Sequence, residues 1–100
     1  MAIRFAQVIV GFACKEAARI WREEHSRRLP TEIQQKALDK LQLLHAATRL
    51  EDLQVPPGNR LEALKGDRKG QHSIRINGQW RICFRWQEGN AHGVEIVDYH

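Results

Sequence analysis

The residues best suited to chemistry include a short basic segment with two glycines. Residues 64–70 read LKGDRKG and contain Lys65, Arg68 and Lys69. Glycine lets a backbone approach a phosphate closely, and Lys65 and Arg68 could neutralise its charge. The GxxxxGK[ST] spacing of a nucleotide-binding P-loop is absent. By pattern alone, an ordinary surface hairpin turn is the favoured interpretation of this segment.

A second candidate is the end of the sequence, which reads Val97-Asp98-Tyr99-His100. An imidazole titrates near neutral pH and therefore suits proton transfer. A terminal histidine is usually frayed and inert. This one directly follows an apolar strand pattern, which could hold it at the rim of a sheet. The pattern alone favours the inert end and leaves a general acid or base as the alternative.

The sequence predicts neither a metal site nor a covalent nucleophile. Cys14 and Cys83 are 69 positions apart, with no CxxC pair, and no Ser or Cys lies in a nucleophile elbow. No HExxH or other ligand spacing connects the internal histidines, which are His25, His45, His72 and His92. We therefore expect no metal, no cofactor and no disulfide framework, as is typical of a cytoplasmic protein.

Positive charge is concentrated in the second half of the sequence. The whole chain has 16 Lys and Arg against 12 Asp and Glu, a formal charge of +4. Residues 60–85 contain two acidic residues, Glu62 and Asp67, against seven basic ones: Arg60, Lys65, Arg68, Lys69, Arg75, Arg81 and Arg85. Such an excess predicts a polyanionic partner, either nucleic acid or an acidic protein. The alternative is a solvated face without a ligand.

The length of 100 residues predicts a single domain over 1–100. A hydrophobic content of 42% is too high for a disordered chain. No apolar run approaches the roughly 18 residues that span a bilayer, and no signal peptide opens the sequence. We therefore expect a cytoplasmic protein without a membrane partner.

The elements that must position these residues follow from the hydrophobic periodicity. Helix formers without Gly or Pro predict a first helix over residues 12–24, after a short β-branched strand at 8–10. An apolar stripe predicts a second helix that runs to about Ala47, with Thr31 as its N-cap. Beyond Arg60 the period changes to two and predicts four strands, around 61–64 and over 72–76, 80–86 and 94–99. The predicted fold is α+β, two helices packed on a small twisted antiparallel sheet.

The turn at Asn77-Gly78 allows a prediction of strand register. A three-residue loop over 77–79 puts all the apolar residues of both strands on one face, with the pairs Ile76–Trp80, Arg75–Arg81 and Ile74–Ile82. The opposite face then carries Arg75, Arg81 and Arg85. Because like charges directly opposite each other destabilise a sheet, this face implies either a bound anion or acidic residues that balance it.

Taken together, these segments resemble the HigB-type toxins of the RelE/ParE superfamily. The resemblance covers about residues 8–100 and is carried by RLEALKGDRKG at 60–70, SIRIN at 73–77, WRICF at 80–84 and VEIVDYH at 94–100. AATRLEDL at 46–53 and FACK at 12–15 add to it. The resemblance implies the same small α+β fold and a toxin of a type II toxin–antitoxin pair. It also implies a HigA-type helix-turn-helix antitoxin, through which the toxin reaches operator DNA.

The family's activity, by the same resemblance, is metal-independent cleavage of mRNA in the ribosomal A site. The ribose 2′-OH attacks the adjacent phosphate, and the 5′-oxygen leaves. The matching catalytic positions are Lys65 and Arg81 for phosphate stabilisation, Tyr99 for stacking or a phosphate contact, Asp98 to orient His100, and His100 as acid or base. The remaining cations are expected to contact RNA or the ribosome; they are Arg68, Lys69, Arg75 and Arg85.

Two other functions stay open from the sequence alone. ParE-type relatives share the fold but bind DNA gyrase without cutting RNA, and a basic nucleic-acid-binding module would need no catalytic residues. Two departures from the family also matter. Some relatives carry a histidine where this chain has Glu62, so its activity should be lower or depend more on His100. Residues 1–7 extend past the usual family start and are expected to form an N-terminal extension.

Overall fold

The computed structural model describes residues 7–99, which form two α-helices and one four-stranded antiparallel sheet. In chain order, the elements are α1 (Lys15–Trp21), α2 (Thr31–Ala46), β1 (Glu62–Ala63), β2 (His72–Arg75), β3 (Trp80–Gln87) and β4 (Asn90–Asp98). The strands are arranged in the order β1-β2-β3-β4. This confirms the predicted α+β fold. His100 and residues 1–6 of the expected N-terminal extension lie outside the described residues.

Both helices cover the same face of the sheet. Helix α1 contacts β4 and helix α2 contacts β3. The apolar stripe predicted for α2 is confirmed, since four of its residues are buried: Ile33, Ala37, Leu41 and Leu44. They join one core cluster with Ile82 and Phe84 of β3. None of the described helices is long and apolar enough to cross a bilayer.

Helix α1 is shorter at both ends than predicted. Phe12, predicted to be helical, instead forms a parallel bridge with Val94 at the edge of β4. The helix is capped at its start by Cys14, whose Sγ accepts a hydrogen bond from the Ala17 amide at 3.4 Å. It ends because Glu23 adopts a left-handed conformation, with φ of 62°. Helix propensity predicted the centre of α1, and contacts with the sheet determine its start.

The predicted N-cap of α2 is wrong. Helix α2 begins at Thr31, and Pro30 occupies the cap position without a side-chain hydrogen bond. The fixed φ of proline suits a chain that enters a helix. Gln34 uses its amide to hold the preceding loop, because its Nε2 donates to the carbonyl of Leu29 at 2.9 Å. Thr31 is therefore the first helical residue.

The predicted hairpin register between β2 and β3 is confirmed. Ile74 pairs with Ile82 and Arg75 pairs with Arg81. The side chain of Asn77 closes the loop, because its Oδ1 accepts hydrogen bonds from the amides of residues 79 and 80 at 2.8 Å each. The side chains of Arg75 and Arg81 therefore lie on the face away from the helices.

Strand β4 begins four residues earlier than predicted, at Asn90. The predicted strand began at Val94, directly after Gly93. In the structure the register between β3 and β4 shifts at this point, and Gly93 has a φ of 58°. These are the features of a β-bulge, which inserts one extra residue without ending the strand. The bulge lets Ala91 and Val94 both face the core, although three positions separate them.

Candidate active site

Arg81, near the start of β3, is the buried cation at the centre of the candidate site. Only 9% of the residue is exposed. Its Nε donates to the hydroxyl of Ser73 at 2.7 Å, and its Nη2 donates to the carbonyl of Arg60 at 2.6 Å. Glu62 lies 3.6 Å from the same Nη2. A buried charge is tolerated when it is paired and hydrogen-bonded, and these contacts hold the guanidinium in one orientation.

The backbone of Arg60 is shaped to accept this hydrogen bond. Arg60 has a φ of 46°, in the left-handed region that non-glycine residues rarely adopt. The preceding loop is held by Asn59, which is fully buried and donates to the carbonyls of Leu53 and Val55 at 3.1 and 3.3 Å. Lys40 of α2 in turn donates to Asn59 Oδ1, and burial lowers the pKa of this lysine. Helix α2 thus supports the carbonyl that orients Arg81.

A surface cleft of about 260 Å³ opens beside Arg81. We call it the Arg81 cleft, and its lining residues are Arg60, Arg75, Asn77, Gly78, Arg81 and Tyr99. The ring centroid of Tyr99 lies 5.5 Å from Arg81 Cζ, within the range of a cation–π contact. Three arginines therefore line one cleft, and one carboxylate, Glu62, offsets part of their charge. Guanidinium groups bind phosphate oxygens with two parallel hydrogen bonds, so the cleft suits a phosphodiester.

Tyr99 is held at the cleft by main-chain contacts. Its amide donates to the carbonyl of Gln79 at 2.6 Å, which extends the ladder between β3 and β4 past Asp98. Gln79 Nε2 also donates to Asp98 Oδ2 at 3.2 Å. The chain end is therefore fixed to the β2–β3 loop as far as Tyr99.

Acidic residues offset only part of the basic face: of the three arginines predicted to share it, Arg81 alone forms an ion pair among residues 7–99. Glu62 pairs with Arg81, and Glu95 accepts a hydrogen bond from Arg68 Nη1 at 2.5 Å. This hydrogen bond raises the pKa of Arg68. Cys83 is fully buried on this face, and burial raises the pKa of its thiol. Cys83 is therefore a neutral packing residue at physiological pH.

The structure brings some of the predicted site residues together and leaves others apart. The Arg81 cleft is lined by Arg75, Arg81 and Tyr99. Asp98 directly precedes Tyr99 in the sequence. Three other predicted residues are exposed and do not line the cleft: Lys65, Lys69 and Arg85. Arg68 is engaged with Glu95 and Gln71. His100 lies outside the described residues.

Sequence reasoning missed three lining residues of the cleft and one support. Arg60 was noted for the charge excess and a family motif, and Asn77 and Gly78 for the turn and a neighbouring motif, without a role in the site. The signal for Arg60 was its position directly after the Pro-Pro-Gly-Asn turn. Ser73 gave no signal, because its role depends on the pairing of β2 with β3.

Over residues 7–99, no group of three or more His, Cys, Asp or Glu side chains is placed to hold a metal ion. The candidate site is instead built from arginines, a tyrosine and backbone carbonyls. Such a site binds an anion directly through nitrogen donors.

Comparison with known proteins identifies relatives that match most of the chain. A sequence model described as "RelE-like toxin of type II toxin-antitoxin system HigB" matches residues 11–100. Toxin HigB-1 of Vibrio cholerae is 44% identical over 69 residues, which cover 69% of this chain and 73% of that protein. Endoribonuclease HigB of Proteus vulgaris is 30% identical over 93 residues, which cover 93% of this chain and all of that protein.

A solved structure shares the fold. YafQ from Escherichia coli strain BL21(DE3) superposes with a TM-score of 0.63 over 92% of each chain, at 13% sequence identity. At this identity the likeness concerns the fold alone. It agrees with the arrangement of two helices on one face of an antiparallel sheet.

Proposed function

Since the chain belongs to the HigB-like family of RelE-like toxins of type II toxin–antitoxin systems, we propose that it stops translation by cutting mRNA in the ribosomal A site. The chain is therefore a toxin whose partner is an antitoxin, and an endoribonuclease like its relative from Proteus vulgaris. The observation that carries the proposal is the orientation of Arg81 beside an open, arginine-lined cleft.

Arg81 is proposed to stabilise the transition state. When a ribose 2′-OH attacks the neighbouring phosphate, negative charge accumulates on the phosphorane oxygens as the 5′-oxygen leaves. Preoriented donors stabilise such charge without reorganising at the moment of reaction. Two nitrogens of the Arg81 guanidinium, Nε and Nη2, already donate to Ser73 and to the Arg60 carbonyl, and this fixed orientation supports the role. The products are a 2′,3′-cyclic phosphate and a 5′-OH.

Proton transfer is assigned to the end of the chain. His100 is the proposed acid or base, Asp98 orients it, and Tyr99 stacks on a base or contacts the phosphate. The 37% exposure of Tyr99 and its place in the Arg81 cleft support its part. Glu62, where some relatives carry a histidine, lies beside Arg81 and is ion-paired with it. We expect cleavage by this chain to depend more strongly on His100 than cleavage by those relatives.

The other cations are proposed to hold RNA. Lys65 stabilises the phosphate, and Arg75 contacts RNA from within the cleft. The exposed Lys69 and Arg85 extend this basic surface. Arg68 contributes least, because Glu95 already neutralises its charge.

The proposed partners follow from this activity. The ribosomal A site and its mRNA supply the substrate, and the chain therefore works in the cytoplasm. A HigA-type antitoxin with a helix-turn-helix domain neutralises the toxin and connects it to operator DNA.

A reconstituted translation reaction with end-labelled mRNA tests the proposal. We expect cuts within A-site codons, with ribosomes only. We also expect Arg81→Ala to reduce the cleavage rate by about 10²- to 10³-fold, the cost of removing one oriented charge-stabilising donor. A chain that lacks His100 should be similarly impaired.

Arg49→Ala is the matched control, because Arg49 is exposed and is not among the residues that line the Arg81 cleft. It should cut like wild type. Intact mRNA in every reaction would overturn the nuclease proposal and direct the next assay to inhibition of gyrase supercoiling. Efficient cutting of ribosome-free mRNA would contradict dependence on the ribosome.

A further inference from the structure

A second basic cleft lies beside α1, and the proposed nuclease chemistry does not use it. We call it the α1 cleft; its volume is about 390 Å³, and its lining residues are Glu16, Arg19, His25, Arg27 and Arg28. None of them lines the Arg81 cleft. Three guanidinium groups against one carboxylate give the α1 cleft a net positive charge.

The loop that forms this cleft is held firmly at its base. Ser26 is fully buried, and its hydroxyl donates to Glu16 Oε1 at 2.5 Å. Ser26 Oγ in turn accepts hydrogen bonds from the amides of Arg28 and Leu29 at 3.2 Å each. Leu29 is only 8% exposed and joins the core cluster. The loop is therefore already ordered before a ligand binds, and binding costs little additional conformational entropy.

Two exposed arginines of this loop, Arg27 and Arg28, carry charges that no ion pair among residues 7–99 neutralises. The acidic residue of the cleft, Glu16, already accepts the Ser26 hydroxyl. Arg19 pairs only loosely with Glu24, at 3.7 Å and with both side chains about half exposed. Adjacent guanidinium forks without carboxylate partners are available to bind phosphate groups.

We propose that the α1 cleft is a second phosphate-binding site, through which the toxin grips the ribosomal RNA backbone. The inference rests on the proposed function, because that function brings the toxin into a site surrounded by ribosomal RNA. The mRNA occupies the Arg81 cleft, so a separate phosphate site engages the wall of the A site. Glu16 does not cancel this preference for an anion, because three arginines outnumber its one carboxylate and because that carboxylate already accepts a hydrogen bond from Ser26.

Binding to purified 70S ribosomes tests the site, with an Arg81→Ala chain as the parent so that mRNA stays intact. We expect Arg27→Ala with Arg28→Ala to weaken ribosome binding about tenfold and to reduce the slope of log affinity against log salt by about two, one unit for each phosphate contact. Affinity for a short single-stranded RNA without ribosomes should stay unchanged.

The control is Arg22→Ala with Arg49→Ala, which removes the same formal charge from two exposed arginines outside the cleft. It should bind ribosomes like the parent.

Binding by the Arg27/Arg28 variant that equals that of the control would overturn the inference and leave the nuclease proposal standing. Equal losses on ribosomes and free RNA would assign the cleft to mRNA. A loss of affinity only for the cognate antitoxin would assign it to that protein, and either result overturns the inference. A parent that fails to bind ribosomes would overturn the proposed function itself.

Discussion

At the residue scale, Arg81 combines a low exposure with two fixed acceptors. Ser73 and the Arg60 carbonyl occupy Nε and Nη2, so the guanidinium has little rotational freedom left. A charge that is already oriented loses little entropy when it meets the phosphorane. Ser73 is therefore expected to act as a positioning residue, although it does not line the cleft.

Ser73→Ala should lower kcat about tenfold, which corresponds to about 1.4 kcal/mol, and change KM little. The reason is that Arg81 Nε loses its acceptor in a buried position. Single-turnover cleavage on ribosomes measures the effect. Ser73→Thr keeps the hydroxyl and should restore most of the rate. Wild-type kcat in Ser73→Ala would show that the Arg60 carbonyl alone orients Arg81.

At the scale of elements, the bulge in β4 determines which side chains reach the two faces of the sheet. Gly93 and Val94 together stand opposite one position of β3. As a result Val94 and Ile96 face the core, and Glu95 faces outward to Arg68. A continuous alternation through Gly93 would place Ala91 and Val94 on opposite faces.

Gly93→Ala should destabilise the fold by about 1–2 kcal/mol, because a φ of 58° is strained for a residue with a Cβ. Gly11→Ala is a matched control: a Cβ has open space at both positions, and Gly11 is not among the residues with positive φ. Urea unfolding compares the two variants. Equal stability of both would show that the bulge does not need glycine.

A second element, the turn at Leu50–Gln54, is held by Asp52. Its Oδ2 accepts hydrogen bonds from the Thr48 amide and hydroxyl at 3.0 Å each and from the Arg49 amide at 3.1 Å. The Thr48 and Arg49 amides, with the Thr48 hydroxyl, lower the pKa of Asp52. The carboxylate therefore stabilises the fold above its unfolded pKa, and this contribution disappears as the pH falls through the lowered folded value.

Asp52→Asn should consequently lower the urea midpoint at pH 7, and its difference from wild type should shrink below about pH 4. Unfolding curves at several pH values measure this. Asp67→Asn, an exposed carboxylate in the turn Gly66–Arg68, is the control and should shift the midpoint little at either pH. A constant difference across the pH range would contradict the role of the Asp52 charge.

At the scale of the whole molecule, the two faces of the sheet have different surroundings. One face packs against α1 and α2 around a single apolar cluster. The other face carries Arg75 and Arg81, and Glu62 lies 3.6 Å from Nη2 of Arg81. A small domain of this kind has a net stability of only about 5–15 kcal/mol, so a single core residue matters.

Leu41→Ala, in the centre of α2, should cost about 2–5 kcal/mol, because Leu41 is fully buried and its truncation leaves a cavity. Leu38→Ala, at a partly buried position of the same helix, should cost less. Denaturant unfolding gives both values, and cleavage by the fraction that stays folded should be unchanged. Equal costs for both variants would contradict the burial argument.

Local pattern in the sequence was enough to predict much of the fold. The 3.6-residue period of α2, the alternation in β2 and β3 and the Asn77-Gly78 turn each depend on neighbouring residues. They predicted the α+β class, the Arg75–Arg81 register and a basic face, and the structure confirms all three. The family motifs at 60–70 and 94–100 likewise identified the toxin family from the sequence, as the matches confirm.

Only the tertiary structure decided which distant residues are in contact. Arg60 and Arg81 are 21 positions apart and Arg68 and Glu95 are 27 apart, yet both pairs are in contact. The early start of β4 and the late start of α1 also depend on contacts between distant segments. Such contacts form when the packed core brings those segments together. The spacing of residues along the chain does not predict the hydrogen bonds that result. The sequence by itself therefore determined most of the elements and the family, and the packing decided which arginine is held by fixed hydrogen bonds beside a cleft.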